Sequence, residues 1–156
     1  MANITGFPVI DNAHYIGSFT FSADASATLD ASGCIKSGMV VGFSDTGVSR
    51  TLAPSKHNYS GAPIGVALDD ASAGEMFTVI GPGCIAIVAN ANAVAIDAGE
   101  WLEVSDNCVG GTVCARQDWS GNHFLIGQAW DDIPGSGTGA MIINPCFYTE
   151  YRDLGG

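Results

Sequence analysis

The sequence predicts an all-β protein, a compact sandwich or barrel built from an internal repeat, with extended N-terminal and C-terminal arms. The strongest reason is the repeat itself. Ile64-Gly65-Val66-Ala67-Leu68-Asp69-Asp70 returns as Ile126-Gly127-Gln128-Ala129-Trp130-Asp131-Asp132, an offset of 62 (126 minus 64). Upstream, Gly38, Ser44-Asp45, Val48 and Thr51 match Gly99, Ser105-Asp106, Val109 and Thr112 at an offset of 61. Downstream, Gly74 and Met76 pair by identity with Gly139 and Met141 at an offset of 65, which implies a longer loop in the second copy. The copies span residues 36–80 and 97–143, and a repeat of this kind sets the architecture before any residue chemistry is considered. The second reason is a succession of short apolar runs separated by Gly, Pro, Ser and Asp turns, the pattern of a sandwich or barrel. The third is the lack of helical periodicity: Ala91 to Ala98 is Ala-rich but short, and reads as a loop with one short strand.

Taken in order, Phe19-Thr20-Phe21 and Ala27-Thr28-Leu29 read as short strands. Met39 to Phe43 is an apolar run stopped by the turn Ser44-Asp45-Thr46-Gly47, and Val48 to Ala53 returns beside it. Pro54 to Pro63 is a polar loop. Ile64 to Leu68 is a strand ended by Asp69-Asp70-Ala71-Ser72-Ala73-Gly74. Met76 to Ile80 and Cys84 to Ala89 flank Gly81-Pro82-Gly83. The second copy supplies Trp101 to Val104, Val113 to Arg116, Phe124 to Trp130 and Ala140 to Asn144.

Outside this β domain (19–143) lie an N-terminal arm, 1–18, and a C-terminal tail, 144–156. The first carries Ile4, Phe7, Val9, Ile10, Tyr15 and Ile16, the second Phe147, Tyr148 and Tyr151. Both are too apolar for solvated tails. They are either edge strands that complete the sheet or arms that lie on another subunit by strand addition or aromatic anchoring. Ile4, Phe7, Val9, Tyr15, Phe147, Tyr148 and Tyr151 are therefore the candidate subunit or partner contacts.

Composition narrows the function. At 156 residues the chain is one domain or two small fused halves, and 47% hydrophobic residues suffice for a core. Only 13% of residues are charged, yet the net charge is −11. Such a chain does not neutralise phosphates, so nucleic acid and anionic membranes are excluded as partners. The start lacks the pattern of a secretory signal, and no apolar run is long enough for a spanning helix. The five cysteines include no CxxC pair and are expected as cytosolic thiols, although Cys108 and Cys114 could face each other across a hairpin. With so few charges, much of the surface must be neutral or apolar, and large exposed apolar patches point to a homo-oligomer.

The sequence carries no recognisable catalytic or metal-binding constellation. Neighbouring aspartates in a strand point to opposite faces, so Asp69-Asp70 and Asp131-Asp132 do not form dyads; they suit turn hydrogen bonds better than catalysis or calcium. Asp45-Thr46-Gly47 has the aspartic-protease signature, but its repeat partner, Asp106-Asn107-Cys108, lacks the Thr-Gly that a second catalytic aspartate requires. There is no GxSxG, HExxH or nucleotide-binding glycine motif. Gly135-Ser136-Gly137-Thr138-Gly139 has no following Lys and lies in an acidic region. His14, His57 and His123 are scattered. Trp101, Trp119 and Trp130 read as core or interface. No catalytic residue, metal or cofactor is expected.

The stretch Ala62-Pro63-Ile64-Gly65-Val66-Ala67-Leu68-Asp69-Asp70-Ala71-Ser72-Ala73-Gly74-Glu75, followed by Phe77-Thr78-Val79-Ile80 and a Gly, resembles the small capsid decoration (cement) proteins of tailed bacteriophages. Members show this pattern of small and apolar positions after a short hairpin, many of them twice, and here it covers about residues 36–143. The second copy departs in Asp131-Asp132-Ile133-Pro134-Gly135-Ser136, and places Ala140 where the first has Glu75. The resemblance implies a β-rich homotrimer on the outer capsid surface of the virion, made in the bacterial host cytoplasm. It would clamp the major capsid protein and stabilise the head without catalysis. The alternative from another class is a carbohydrate- or host-binding β module or head-fibre base. Exposed Trp119 and Trp130 beside an acidic groove would indicate glycan binding.

Overall fold

The computed structural model describes residues 18–23, 34–43, 51–54, 63–90, 92–104, 112–115 and 122–149. Among them there are strands and turns and no helix. The first half supplies β1 (Ser18–Ala23), β2 (Cys34–Ile35), β3 (Val40–Phe43), β4 (Thr51–Pro54), β5 (Pro63–Ala67), β6 (Ala71–Ser72) and β7 (Met76–Ile80). The second supplies β8 (Ile85–Ala89), β9 (Trp101–Val104), β10 (Val113–Ala115), β11 (Asn122–Ala129) and β12 (Thr138–Thr149). The strand predicted at Ala27 to Leu29 lies outside the described residues.

The first half closes into a barrel in the order β1-β4-β3-β5-β7, with β2 and β6 forming a small separate pair. The second half is a five-stranded sheet in the order β10-β9-β11-β12-β8. Among the described residues a parallel bridge, Asn90 to Val113, joins its two edge regions. That bridge is the counterpart of the parallel pairing of Ala23 with Leu52 between β1 and β4. The repeat therefore reaches further upstream than the sequence alone indicates. β1 and β8 are equivalent, since Ser18 to Ser22 pair with Ile80 to Met76 as Ile85 to Ala89 pair with Ile142 to Thr138.

Backbone hydrogen bonds make the equivalence residue-by-residue. The Gly38 amide donates to the Ala67 carbonyl at 2.8 Å and the Gly99 amide to the Ala129 carbonyl at 2.8 Å. Ala23 donates to the Glu75 carbonyl and Asn90 to the Gly137 carbonyl, each at 2.8 Å. Turns Lys36–Met39 and Asp97–Glu100 both place a glycine at the third position, with φ of 86° at Gly38 and at Gly99, the conformation a type II turn demands.

These bonds correct the downstream alignment. Leu68 donates to the Thr78 carbonyl as Trp130 does to Ala140, so the offset stays at 62 (140 minus 78) and the second loop is no longer than the first. Gly74 corresponds to Ser136, and both have positive φ, 81° and 53°. Glu75 corresponds to Gly137, whose amide closes its turn on Pro134 as that of Glu75 does on Ser72. The Glu75 carboxylate accepts from the Ser72 amide at 2.8 Å; Pro134 has no amide hydrogen to donate, so the second copy has no use for a carboxylate there.

The interior follows from strand alternation. In the first barrel Ala23, Ile35, Val41, Ala67, Ala71, Phe77 and Val79 form one core. A larger core contains Val88, Ile96, Leu102, Val104, Ile126, Ile133, Met141 and Ile143 of the second half together with Val40, Val66 and Ile80 of the first. The halves thus share this second core, where β5 lies against β11 and β12. Gly65 and Gly127 are both buried, and a Cβ on either would run into a carbonyl, of Ile80 or of Ile142. Beside them, Ile64 and Ile126 are each the extra residue of a bulge opposite β3 and β9. Residues 144–149, assigned from sequence to a tail, continue β12. Past an irregularity at Asn144 and Pro145, they pair with Asn122 to Leu125. A proline is tolerated at such an irregularity because no ladder amide is needed from it.

Candidate interaction surfaces

The paired aspartates hold backbone in place. Asp69 accepts from the Thr78 amide at 3.2 Å, and Asp131 from the Ala140 amide at 3.0 Å. Asp70 accepts from the Ser37 amide at 2.8 Å and Asp132 from the Ala98 amide at 3.0 Å. In each copy the first aspartate ties its loop to the next strand, and the second ties it to the type II turn. Asp70 also meets the Lys36 ammonium at 3.3 Å in an exposed ion pair. The Gly135–Gly139 stretch is likewise structural: the Ser136 amide donates to the Asn92 carbonyl at 2.7 Å, and Asn90, 3% exposed, bonds Val94, Pro134 and Asn92 around it. Asp45, Asp106, His14, His57, Cys108 and Trp119 lie outside the described residues. Among the described residues no cluster of three His, Cys, Asp or Glu side chains is arranged to hold a metal.

Of the contact residues expected from sequence, Ile4, Phe7, Val9, Tyr15 and Tyr151 lie outside the described residues. Phe147 and Tyr148 belong to the last part of β12, their backbones opposite Phe124 and His123.

The structure also shows a surface that the sequence reading missed. On the outer side of the second sheet, Trp101, Gln128, Ile142 and Ile85 are direct cross-strand partners in a row over β9, β11, β12 and β8. All four are only half-buried. Ile87, 58% exposed, and Trp130, 43% exposed, border the row. Trp130 therefore lies at the surface, and exposed Asp131 and Asp132 follow it. The equivalent row in the first barrel is Val40, Val66 and Ile80, followed by Ser18. There the three apolar side chains are at most 3% exposed, and Leu68, the counterpart of Trp130, packs against the shared core. One hint was legible in advance: the second copy carries Trp where the first has Leu68. That Trp101 and Trp130 share a face with Ile85 and Ile87 depends on strand pairing.

Comparison with known proteins places this architecture. No curated protein sequence matches the chain. The structure is similar to the head fibre gp8.5 N base of bacteriophage phi29, with a TM-score of 0.54 at 19% identity, over 81% of this chain and 92% of that one. At that identity the likeness concerns the fold. Residues 21–144 match the model of the phage cement protein family, and with most of its length inside that match the protein belongs to this family of phage head structural proteins.

Proposed function

We propose that the protein is a capsid decoration protein that binds the outer face of the shell formed by the phage major capsid protein and stabilises the head. The family match over residues 21–144 carries this reading. The physical character of the chain supports it. Two β units joined through a shared core make a stiff body, and a net charge of −11 keeps decorated particles from sticking to one another. The protein acts as a homotrimer, with Ile4, Phe7, Val9, Tyr15, Phe147, Tyr148 and Tyr151 contributing subunit or capsid contacts. It catalyses no reaction, and Asp69, Asp70, Asp131 and Asp132 serve the backbone. It is made in the host cytoplasm and resides on the virion exterior.

The test is co-sedimentation of the purified protein with emptied heads. Saturable, stoichiometric binding and raised resistance of heads to heat are expected; absence of binding would refute decoration. A second reading, a base on which a head fibre stands, is favoured by the likeness to the phi29 head fibre base. It predicts that a further virion protein binds the decorated head and not the bare one.

A further inference from the structure

Within one chain the two units pack front to back. The outer face of the first unit, Val40, Val66 and Ile80 with Leu68 beside them, is sealed in a core to which the second unit contributes Val88, Val104 and Ile126. A pseudo-twofold arrangement would bury the equivalent face of the second unit equally, and it does not. Trp101, Gln128 and Ile142 are half-buried and Trp130 is exposed. The turn glycines record the same asymmetry. A Cβ on Gly38 would stand 3.0 Å from the Ile87 carbonyl of the second unit, whereas one on Gly99, with the same φ, would meet nothing within 4 Å.

The other half of the interface is also duplicated. The first-unit counterparts of Val88, Val104 and Ile126 are Phe21, Phe43 and Ile64. Phe43 is 54% exposed, and Phe21 and Ile64 are half-buried. The Phe21 and Phe43 rings meet edge-on at 6.4 Å between centroids. Thr20, the counterpart of Ile87, is exposed. Each chain therefore uses one face and one end internally, and presents a second copy of each to solvent: a face on the second unit, an end on the first. Both carry large aromatic side chains, the residue types that anchor interfaces.

We propose that copies of this chain associate head to tail, the Trp101–Gln128–Trp130–Ile142 face of one copy docking on the Phe21–Phe43–Ile64 end of the next, so that the contact between chains repeats the contact within each chain. This rests on the self-association proposed above and specifies its surfaces. A heterologous contact of this kind closes into a ring or runs on as a filament. Closure at three copies gives a ring of six similar units.

The experiment compares full-length wild type, Trp130→Glu and Phe43→Glu by sedimentation velocity, singly and mixed. Each variant alone should be monomeric where the wild type is fully assembled, with association weakened about 30-fold or more. Mixed, they should form a one-to-one dimer and nothing larger, because the intact face of one meets the intact end of the other. If a glutamate variant loses its cooperative melt, Gln128→Arg on the face or Phe43→Ser at the end replaces it. Assembly that survives both substitutions overturns the proposal, as does a mixture that stays monomeric. If Trp130→Glu assembles normally but no longer binds emptied heads, the face belongs to the capsid; the proposal then falls and decoration stands. A wild type that is monomeric yet binds heads also removes the proposal alone. Failure of the wild type to bind heads removes decoration, whatever its mass.

Discussion

Asp69 and Asp131 each accept from a backbone amide nine residues downstream. Ala140 is 7% exposed, so removing its acceptor strands a donor almost out of reach of water. Asp131→Ala should therefore cost about 1–2 kcal/mol in urea unfolding, and Asp69→Asn less, since the Thr78 bond is more exposed. Neither change, nor Asp45→Asn, should affect binding to heads. Peptide hydrolysis that disappears in Asp45→Asn would contradict a purely structural role. The buried glycines are less forgiving. Gly65→Ala and Gly127→Ala each drive a methyl into a carbonyl of the neighbouring strand, and a loss of about 1–3 kcal/mol is expected for each. Ser136 is the reverse case. It holds a φ of 53° where its counterpart Gly74 holds 81°, a region that disfavours any Cβ. Ser136→Gly should raise the melting free energy by up to about 1 kcal/mol, the relief of strain being partly offset by glycine's greater freedom when unfolded.

At the scale of elements, each unit is a five-strand set whose members come from distant positions in the chain. β1 pairs with β7 and β4, and β8 pairs with β12 and, among the described residues, meets β10 through the Asn90–Val113 bridge. The core that the second sheet shares with β5 ties it to the first unit. Val66, 1% exposed, is a member of that core. Val66→Ala should destabilise the whole protein in one transition, by about 2 kcal/mol, and split transitions on heating would show that the halves melt separately. Ser18 opens β1, so deleting residues 1–17 should leave a cooperatively folded body. Head binding by that truncated protein should be weakened; full affinity would show that Ile4, Phe7, Val9 and Tyr15 contribute nothing to attachment.

For the whole molecule, the composition and the surface agree. A chain that is 47% hydrophobic and 13% charged leaves Phe43, Ile87 and Trp130 exposed at its surface, and exposed apolar side chains that lie together mark interaction sites. Attachment to the shell should draw on a few aromatic anchors. Phe7→Ala or Tyr148→Ala is expected to weaken association with heads or between subunits by about 2 kcal/mol, measurable by titration of emptied heads. Contacts dominated by apolar burial should also change little between 50 and 500 mM salt, because screening acts on charges.

The repeated Ile-Gly-x-Ala-x-Asp-Asp segment and the alternation of short apolar runs determined by themselves that the fold is β, that it is duplicated and that the aspartates belong to turns. These are local matters, settled by side-chain period, backbone conformation and reach of a few residues. Identity matching went astray where the requirement was conformational. Gly74 aligns with Ser136 because both adopt positive φ, and Gly139 matched it only by residue type. The equivalence of β1 and β8 is not legible in the sequence, because Ser-Phe-Thr-Phe-Ser and Ile-Ala-Ile-Val-Ala pair with equivalent strands, β7 and β12, and have no aligned residue in common. The exposed row of Trp101, Gln128, Ile142 and Ile85 was invisible for a related reason. Its members come from four strands, and only the hydrogen-bonded register puts them on one face. Tertiary structure decided which of the two equivalent faces is buried. Burial depends on what packs against a face, and in this chain the second unit covers the first while its own equivalent face stays partly exposed.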